Sequence, residues 1–211
     1  MRSLCSRRRG ESGATMVETA FLAPVLFLVL FGVIEMGYLL RDYQMSSDAV
    51  TDASRVGALM GPTSASDGAP PDFHILRALR EATGSVPSDW ITRVVVFEAP
   101  GPPSGLRAVE QVPQDCKDGT PVVGVCNVYD DPSEAFTAVE DADVDYFKCP
   151  GSRVSCDWEA STRQNGPTVD AIEHIGIWML VRRPYVTGLF GPVLTFEQAS
   201  VVRIEAGALT G

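Results

Sequence analysis

The sequence predicts an α+β protein: a long N-terminal transmembrane and stem helix packed against a small antiparallel β-sheet head, with disulfide-stapled irregular loops. Three observations carry this reading. An apolar run without a charge occupies residues 19–34, and the polar sequence after it runs without a breaker to Gly61-Pro62. Two β-rich runs, 175–181 and 193–204, close the chain and are parted by "GLFGP". Between them and the helix lie four cysteines, Cys116, Cys126, Cys149 and Cys156, in a stretch rich in proline and glycine.

Charge is unevenly spread. The chain of 211 residues has a formal net charge of −10, yet its first thirteen residues carry four arginines and one glutamate, so the remainder holds −13. Arginines ahead of an apolar segment stay on the cytoplasmic side, and the long acidic part is expected to cross. Basic residues beyond the apolar run are scattered and outnumbered, which argues against a nucleic-acid surface. Cys5 lies in the basic leader, and the even number of cysteines on the outer side fits disulfides in an oxidising compartment.

The helix comes first. Residues 19–40 would reach about 33 Å at ~1.5 Å per residue, enough to span a hydrocarbon core of ~30 Å. Glu35 interrupts the run near its far end and is expected to snorkel or to be met by Arg41. A cleaved signal peptide would need a small-x-small site after the apolar core, and "GVIEMGYLL" supplies bulky or charged residues there. Pro24 removes a helical hydrogen bond and predicts a kink or local unwinding over residues 20–24. Past the membrane, Tyr43, Ser46, Val50, Ala53, Gly57 and Met60 recur at spacings of three and four and form one narrow, small-residue stripe, with Asp42, Asp48, Asp52 and Arg55 off it. A helix over residues 14–60 would be about 70 Å long.

The head follows. "GPTSASDGAPPD", residues 61–72, is a linker by composition. "DFHILRALREATG" reads as a short helix capped by Asp72 and ended by Gly84. "WITRVVVFEA" is a strand, residues 100–121 carry too many prolines and glycines for regular structure, and "DPSEAFTAV" gives one or two helical turns. Of the three ways to pair four cysteines, the local one, Cys116–Cys126 with Cys149–Cys156, is expected; each bridge closes a short loop worth roughly 2–3 kcal/mol. The runs flanking "GLFGP" form an antiparallel hairpin that, with the strand around Val94, builds a sheet of three or four strands.

No chemistry is legible. The two histidines, His74 and His174, have no cysteine, aspartate or second histidine at ligand or triad spacing. The cysteine spacings are too wide for a zinc knuckle. The acidic stretch 130–145 lacks the alternation and glycine of a calcium loop and reads as a solvated surface. G-x-S-x-G, H-E-x-x-H, the Walker loop and G-x-G-x-x-G are all missing. The chain is expected to be no enzyme and to need no cofactor or metal.

One stretch is more specific. Gly13 followed by Ala14-Thr15-Met16-Val17-Glu18 resembles the processing site of type IV prepilins, in which a prepilin peptidase cuts after the glycine and glutamate falls fifth in the mature chain. Gly10 fails that test, since Thr15 would stand fifth. The wider context resembles the TadE-like pseudopilins of tight-adherence (Flp-type) pilus systems in Val17, Glu18, Pro24, Phe31, Gly32, Glu35 and Gly37; Thr19 stands where Flp-type sites usually carry an aromatic residue. The resemblance covers about 45 residues and is thin afterwards. It implies a basic leader, residues 1–13, removed between Gly13 and Ala14; a membrane and stem helix, 14–60; and an extracytoplasmic α+β domain, 73–211, of type IV pilin plan.

The expected role is structural, as a minor pilin or pseudopilin in Flp pilus assembly. Its expected partners are a prepilin peptidase, the inner-membrane pilus platform and other pilins. Cleavage would uncover an amine on Ala14 with a pKa of ~8, four residues from Glu18 and on its helix face. That cation would compensate an acid whose burial at mid-bilayer costs about 2.5–3.5 kcal/mol. The alternative is a signal-anchored ectodomain that binds a ligand or cell-wall component.

Overall fold

The computed structural model describes residues 12–62, 68–101, 105–149, 154–163, 173–188 and 190–205, with the backbone alone for 12–14. The leader ahead of Ser12, with Cys5, lies outside the described residues.

Helix α1 runs unbroken over Ser12–Met60, about 74 Å at ~1.5 Å per residue. Pro24 is inside it, and no residue of the turn before it leaves the helix, so the expected unwinding does not occur. The two halves of α1 differ in cover. None of the most apolar stretch is buried by the rest of the chain, and the first buried side chain is that of Glu35. From there burial recurs at Asp42, Ser46, Ala49, Val50, Ala53, Ser54, Gly57 and Ala58, spacings of three, four and seven that mark one helix face. Ser46, Val50, Ala53 and Gly57 of the predicted small-residue stripe are buried on this face, while Tyr43 is exposed and Met60 half-buried. Asp42, expected off the stripe, is buried on it, while Asp48, Asp52 and Arg55 face solvent.

Helix α2, Pro71–Ala82, starts one residue before its expected cap. Pro70 is the N-cap residue and Pro71 opens the first turn, where a missing N–H costs nothing. Asp72 is therefore inside the helix. Strand β1 (Ile91–Ala99) follows, then a loop with a short helix α3 (Gln114–Lys117), strand β2 (Cys126–Asp130), helix α4 (Ser133–Glu140) and the hairpin of β3 (His174–Pro184) and β4 (Val193–Arg203). The loop predicted to be irregular holds α3 and a turn over Ala108–Gln111. The sheet is four-stranded and antiparallel in the order β2-β1-β3-β4.

Alternation along the strands makes two cores. Val94 and Val96 of β1, with Ile175, Ile177, Met179 and Val181 of β3, face the helices and pack with Ala49, Val50, Ala53, Ile75, Leu76, Leu79 and Phe136. Val95 and Phe97, with Trp178 and Val128, face the other way onto Val112 and the bonded Cys116 and Cys126. The first disulfide thus serves as a wall of the second core, with Cys116 and Cys126 fully buried. Cys149 bonds Cys156 at S–S 2.03 Å, and each bridge closes a short loop.

The stem half of α1 belongs to the head. Ser54 Oγ lies 2.8 Å from Ser200 Oγ, the Tyr43 and Phe196 rings are 5.5 Å apart, and the Glu205 N–H donates to the Ala58 carbonyl. A side chain at Gly57 would place its Cβ 2.9 Å from Ile175 Cδ1, so the small residue sets the closeness of helix and sheet. Asp42 meets Arg183 near one end of β3 and Gly57 meets Ile175 near the other. The helix between them covers ~23 Å and the strand ~27 Å. Helix and hairpin therefore lie side by side and point in opposite senses, with the hairpin turn at the end nearer the bare half of α1.

Candidate membrane and assembly surface

Gly13, Ala14 and Glu18 share the first turns of α1, and the most apolar stretch of that helix is not covered by the rest of the chain. Glu18 is exposed and meets no polar partner among the described residues. Thr19 Oγ1 donates to the Thr15 carbonyl at 2.8 Å, which keeps that hydroxyl inside the helix rather than free for the carboxylate. Met16, Val17, Phe21, Leu22, Val25, Leu26, Phe27, Leu28, Val29 and Leu30 are exposed all round this segment. An uncovered helix that is apolar on every face is a membrane span rather than a core helix. The helix is long and apolar enough for one crossing, consistent with a single-pass anchor.

The head fixes where the span ends. Glu35 is fully buried, and its Oε1 accepts from Arg183 Nη1 at 3.0 Å and from the Val186 N–H at 3.1 Å. Its Oε2 accepts from the Thr187 N–H at 2.8 Å. Arg183 also donates from Nε to Asp42 Oδ2 at 2.6 Å and lies over the Trp90 ring at 5.8 Å. Burial pulls the Arg183 pKa down, but the hydrogen bonds and charges of Asp42 and Glu35 outweigh it, and the net shift is upward. One guanidinium thus serves two helix carboxylates seven residues apart, two turns on the same face.

The predicted partner of Glu35, Arg41, instead donates to Ser85 Oγ at 3.1 Å. Six residues on, it stands on a different face of α1 from Glu35. Arg183 is the residue that sequence reasoning missed. The signal was there: a carboxylate in an apolar helix needs a cation, and "LVRRP" offers two adjacent arginines that strand alternation sends to opposite faces. Arg182 is exposed and Arg183 buried. Because the head begins at Glu35, the bare helix ahead of it is about 20 residues, ~30 Å, back to Thr15. This bare stretch begins and ends nearer the N-terminus than the apolar residues 19–40 and takes in Glu18.

A second buried polar cluster holds α2 to the loops. Asp72 Oδ1 accepts from Arg163 Nη2 at 2.6 Å, and its Oδ2 accepts from Asn127 Nδ2 at 2.7 Å and from the Tyr129 hydroxyl at 2.9 Å. Asn127 also accepts from the Trp158 N–H at 2.6 Å and donates to the Ser155 and Trp158 carbonyls, and Arg163 lies 4.4 Å from the Trp158 ring centre. Burial, then the charge and hydrogen bond of Asp72, pushes the Tyr129 hydroxyl well above its ordinary pKa. The predicted capping role of Asp72 is overturned, because Pro70 makes no side-chain cap and the carboxylate turns inward instead.

The remaining candidates do not converge. Cys116–Cys126 and Cys149–Cys156 are bonded pairs within the head, remote in the fold from Glu18. In the acidic stretch, Asp130 pairs with Arg93 and Glu140 with Arg80. His174 has its pKa lowered by burial and by Arg203. No cluster of three or more histidine, cysteine, aspartate or glutamate side chains suited to a metal occurs among the described residues.

Residues 13–55 match the family model described as TadE-like protein. No curated protein and no solved structure matches the chain. The matched segment begins at Gly13 and takes in Glu18, the bare span, Glu35 and the first half of the stem. It stops within α1, ahead of the sheet. The match covers 43 of the 211 residues, all within α1, and over that segment the chain is similar to TadE-like proteins.

Proposed function

We propose that this chain is a minor pilin or pseudopilin that acts structurally in the assembly of a Flp-type, tight-adherence pilus at the bacterial cytoplasmic membrane. The observation that supports the reading best is the bare apolar half of α1, which opens on Gly13-Ala14 and carries Glu18 one turn later. A prepilin peptidase cuts between Gly13 and Ala14. The amine so uncovered has a pKa of ~8 and is mostly cationic at neutral pH. It compensates Glu18 of the same chain or of a neighbouring pilin, and so sets axial register between subunits as they enter the platform. The leader faces the cytoplasm, and the head, with its two bridges, lies outside in an oxidising compartment. The chain performs no reaction of its own and requires no cofactor.

N-terminal sequencing of the membrane-resident protein tests this. A start at Ala14 that reverts to the full chain when the peptidase is removed supports the proposal. A start at Met1 regardless of the peptidase overturns processing, and a start near residue 40 returns the segment to a signal peptide. Glu18→Gln should insert and fold like the parent yet abolish or alter pili. Unaltered pili would remove the assembly role.

A further inference from the structure

The turn of the β3–β4 hairpin is where the head comes nearest the bare span. From Pro184 to Phe196 the sequence has no charged residue, between Arg182-Arg183 on one side and Glu197 on the other. Outside α1, the exposed large hydrophobics among the described residues are Leu106, Val123, Val186, Phe190 and Val193. Three of these five sit in this one turn and its exit, so the exposure is concentrated rather than scattered. Val186 is 70% and Phe190 55% exposed.

The turn is also placed on the apolar helix. Phe190 Cζ lies 3.8 Å from where a Gly32 Cβ would stand, so the ring rests against the glycine face. Gly32 precedes Glu35 by three residues, about 4.5 Å of helix on the lipid side of the point where the head begins. Tyr185, half-buried, packs its ring 6.0 Å from that of Phe190.

Four amides of the turn are met within the protein. The Val186 and Thr187 N–H groups donate to Glu35, the Tyr185 N–H to the Pro192 carbonyl, and the Gly191 N–H to the Gly188 carbonyl. Pro184 and Pro192 have no N–H to satisfy. Irregular backbone at membrane depth is tolerated where its amides are met internally, and an aromatic pair with one hydroxyl suits the headgroup boundary.

We infer that the β3–β4 turn, through Val186 and Phe190, is a second membrane contact of this protein, dipping into the outer lipid leaflet beside α1. The partner is the phospholipid bilayer, at its glycerol-to-acyl boundary. This rests on the reading of α1 as a membrane span and does not depend on pilus assembly. The turn clamps the tilt of the head against the membrane surface.

The test is photocrosslinking of the full chain reconstituted in phosphatidylethanolamine–phosphatidylglycerol vesicles, with p-benzoylphenylalanine replacing Phe190, Val186, Phe27 or Val123 in turn. Phe27 lies in the span. Val123, 82% exposed, leads into β2 at the end of the sheet opposite the turn. Phospholipid adducts, read as added lipid mass, are expected at 190 and 186 in yields comparable with 27, with only background at 123. Adducts at 27 but none at 190 and 186 overturn the inference while sparing the span. Adducts at 190 to a second copy of the chain in place of lipid also overturn it. No adduct at 27 removes the span and the inference together.

Discussion

Arg183→Met tests how the head is held to the helix. The guanidinium is 2% exposed, its partner Glu35 is fully buried, and Asp42 is 10% exposed. The change leaves the methylene packing largely in place and strips both carboxylates of their cation. Glu35 keeps its two backbone donors, whereas Asp42 loses the 2.6 Å contact to Arg183 Nε. Removing one partner of a buried ion pair costs about 3–5 kcal/mol because the other charge is left uncompensated. That is a large share of a total stability of roughly 5–15 kcal/mol. With a urea slope of about 2 kcal/mol per molar, a loss of ~4 kcal/mol lowers the unfolding midpoint by ~2 M.

The assay is urea unfolding of the full chain in mild detergent, followed by tryptophan fluorescence, with Trp90 beside the site as reporter. Combining Arg183→Met with Glu35→Gln and Asp42→Asn removes the orphaned charges and should recover most of the loss. A loss under ~1 kcal/mol, the value of an exposed pair such as Arg55–Asp52, refutes the argument. So does a triple variant no better than the single one.

Two further outcomes concern the second cluster. Asp72→Ala strands the buried Arg163 and removes the acceptor for Asn127 and Tyr129, so a loss of about 3–5 kcal/mol is expected. Asp72→Asn should lose less in the same urea titration, and equal losses would show that the charge does not matter. Tyr129 should stay protonated in the folded protein beyond the ~10 at which an unfolded tyrosine ionises. Because its folded pKa is raised, its stabilising contribution is complete below that pH and declines as pH rises above it. Tyrosinate absorbance of the parent minus that of Tyr129→Phe should therefore rise only with alkaline unfolding, and a rise near ~10 in folded protein would contradict the buried geometry.

Legibility in the sequence followed the range of the interaction. The long helix, the hairpin and the strand around Val94 were readable because their periodicities are local and strong. The bonded pairs Cys116–Cys126 and Cys149–Cys156 were readable because short loops close at little entropic cost. Strand β2 was not, since "CNVYD" is brief and lies among turn residues; pairing with β1 creates it. Asp72 looked like a cap because aspartate before an apolar helix usually is one, and only the approach of Arg163, Asn127 and Tyr129 from distant loops turns it inward. Asp42 looked solvent-facing for the same reason: its partner is 141 positions away. Glu35 announced that a cation was needed, but which arginine supplied it depended on the fold of the head. The bare stretch of α1 differs from the apolar run for a related reason, because hydropathy marks where apolar residues are and not where the head covers them.

The docking of β3 and β4 along residues 35–58 of α1 has a mechanical consequence. There is no swivel between the bare apolar half of α1 and the head, because the same unbroken rod belongs to both. A sideways load on the sheet becomes torque on the membrane rod, and the azimuth at which Glu18 faces its surroundings is set by whatever grips the sheet.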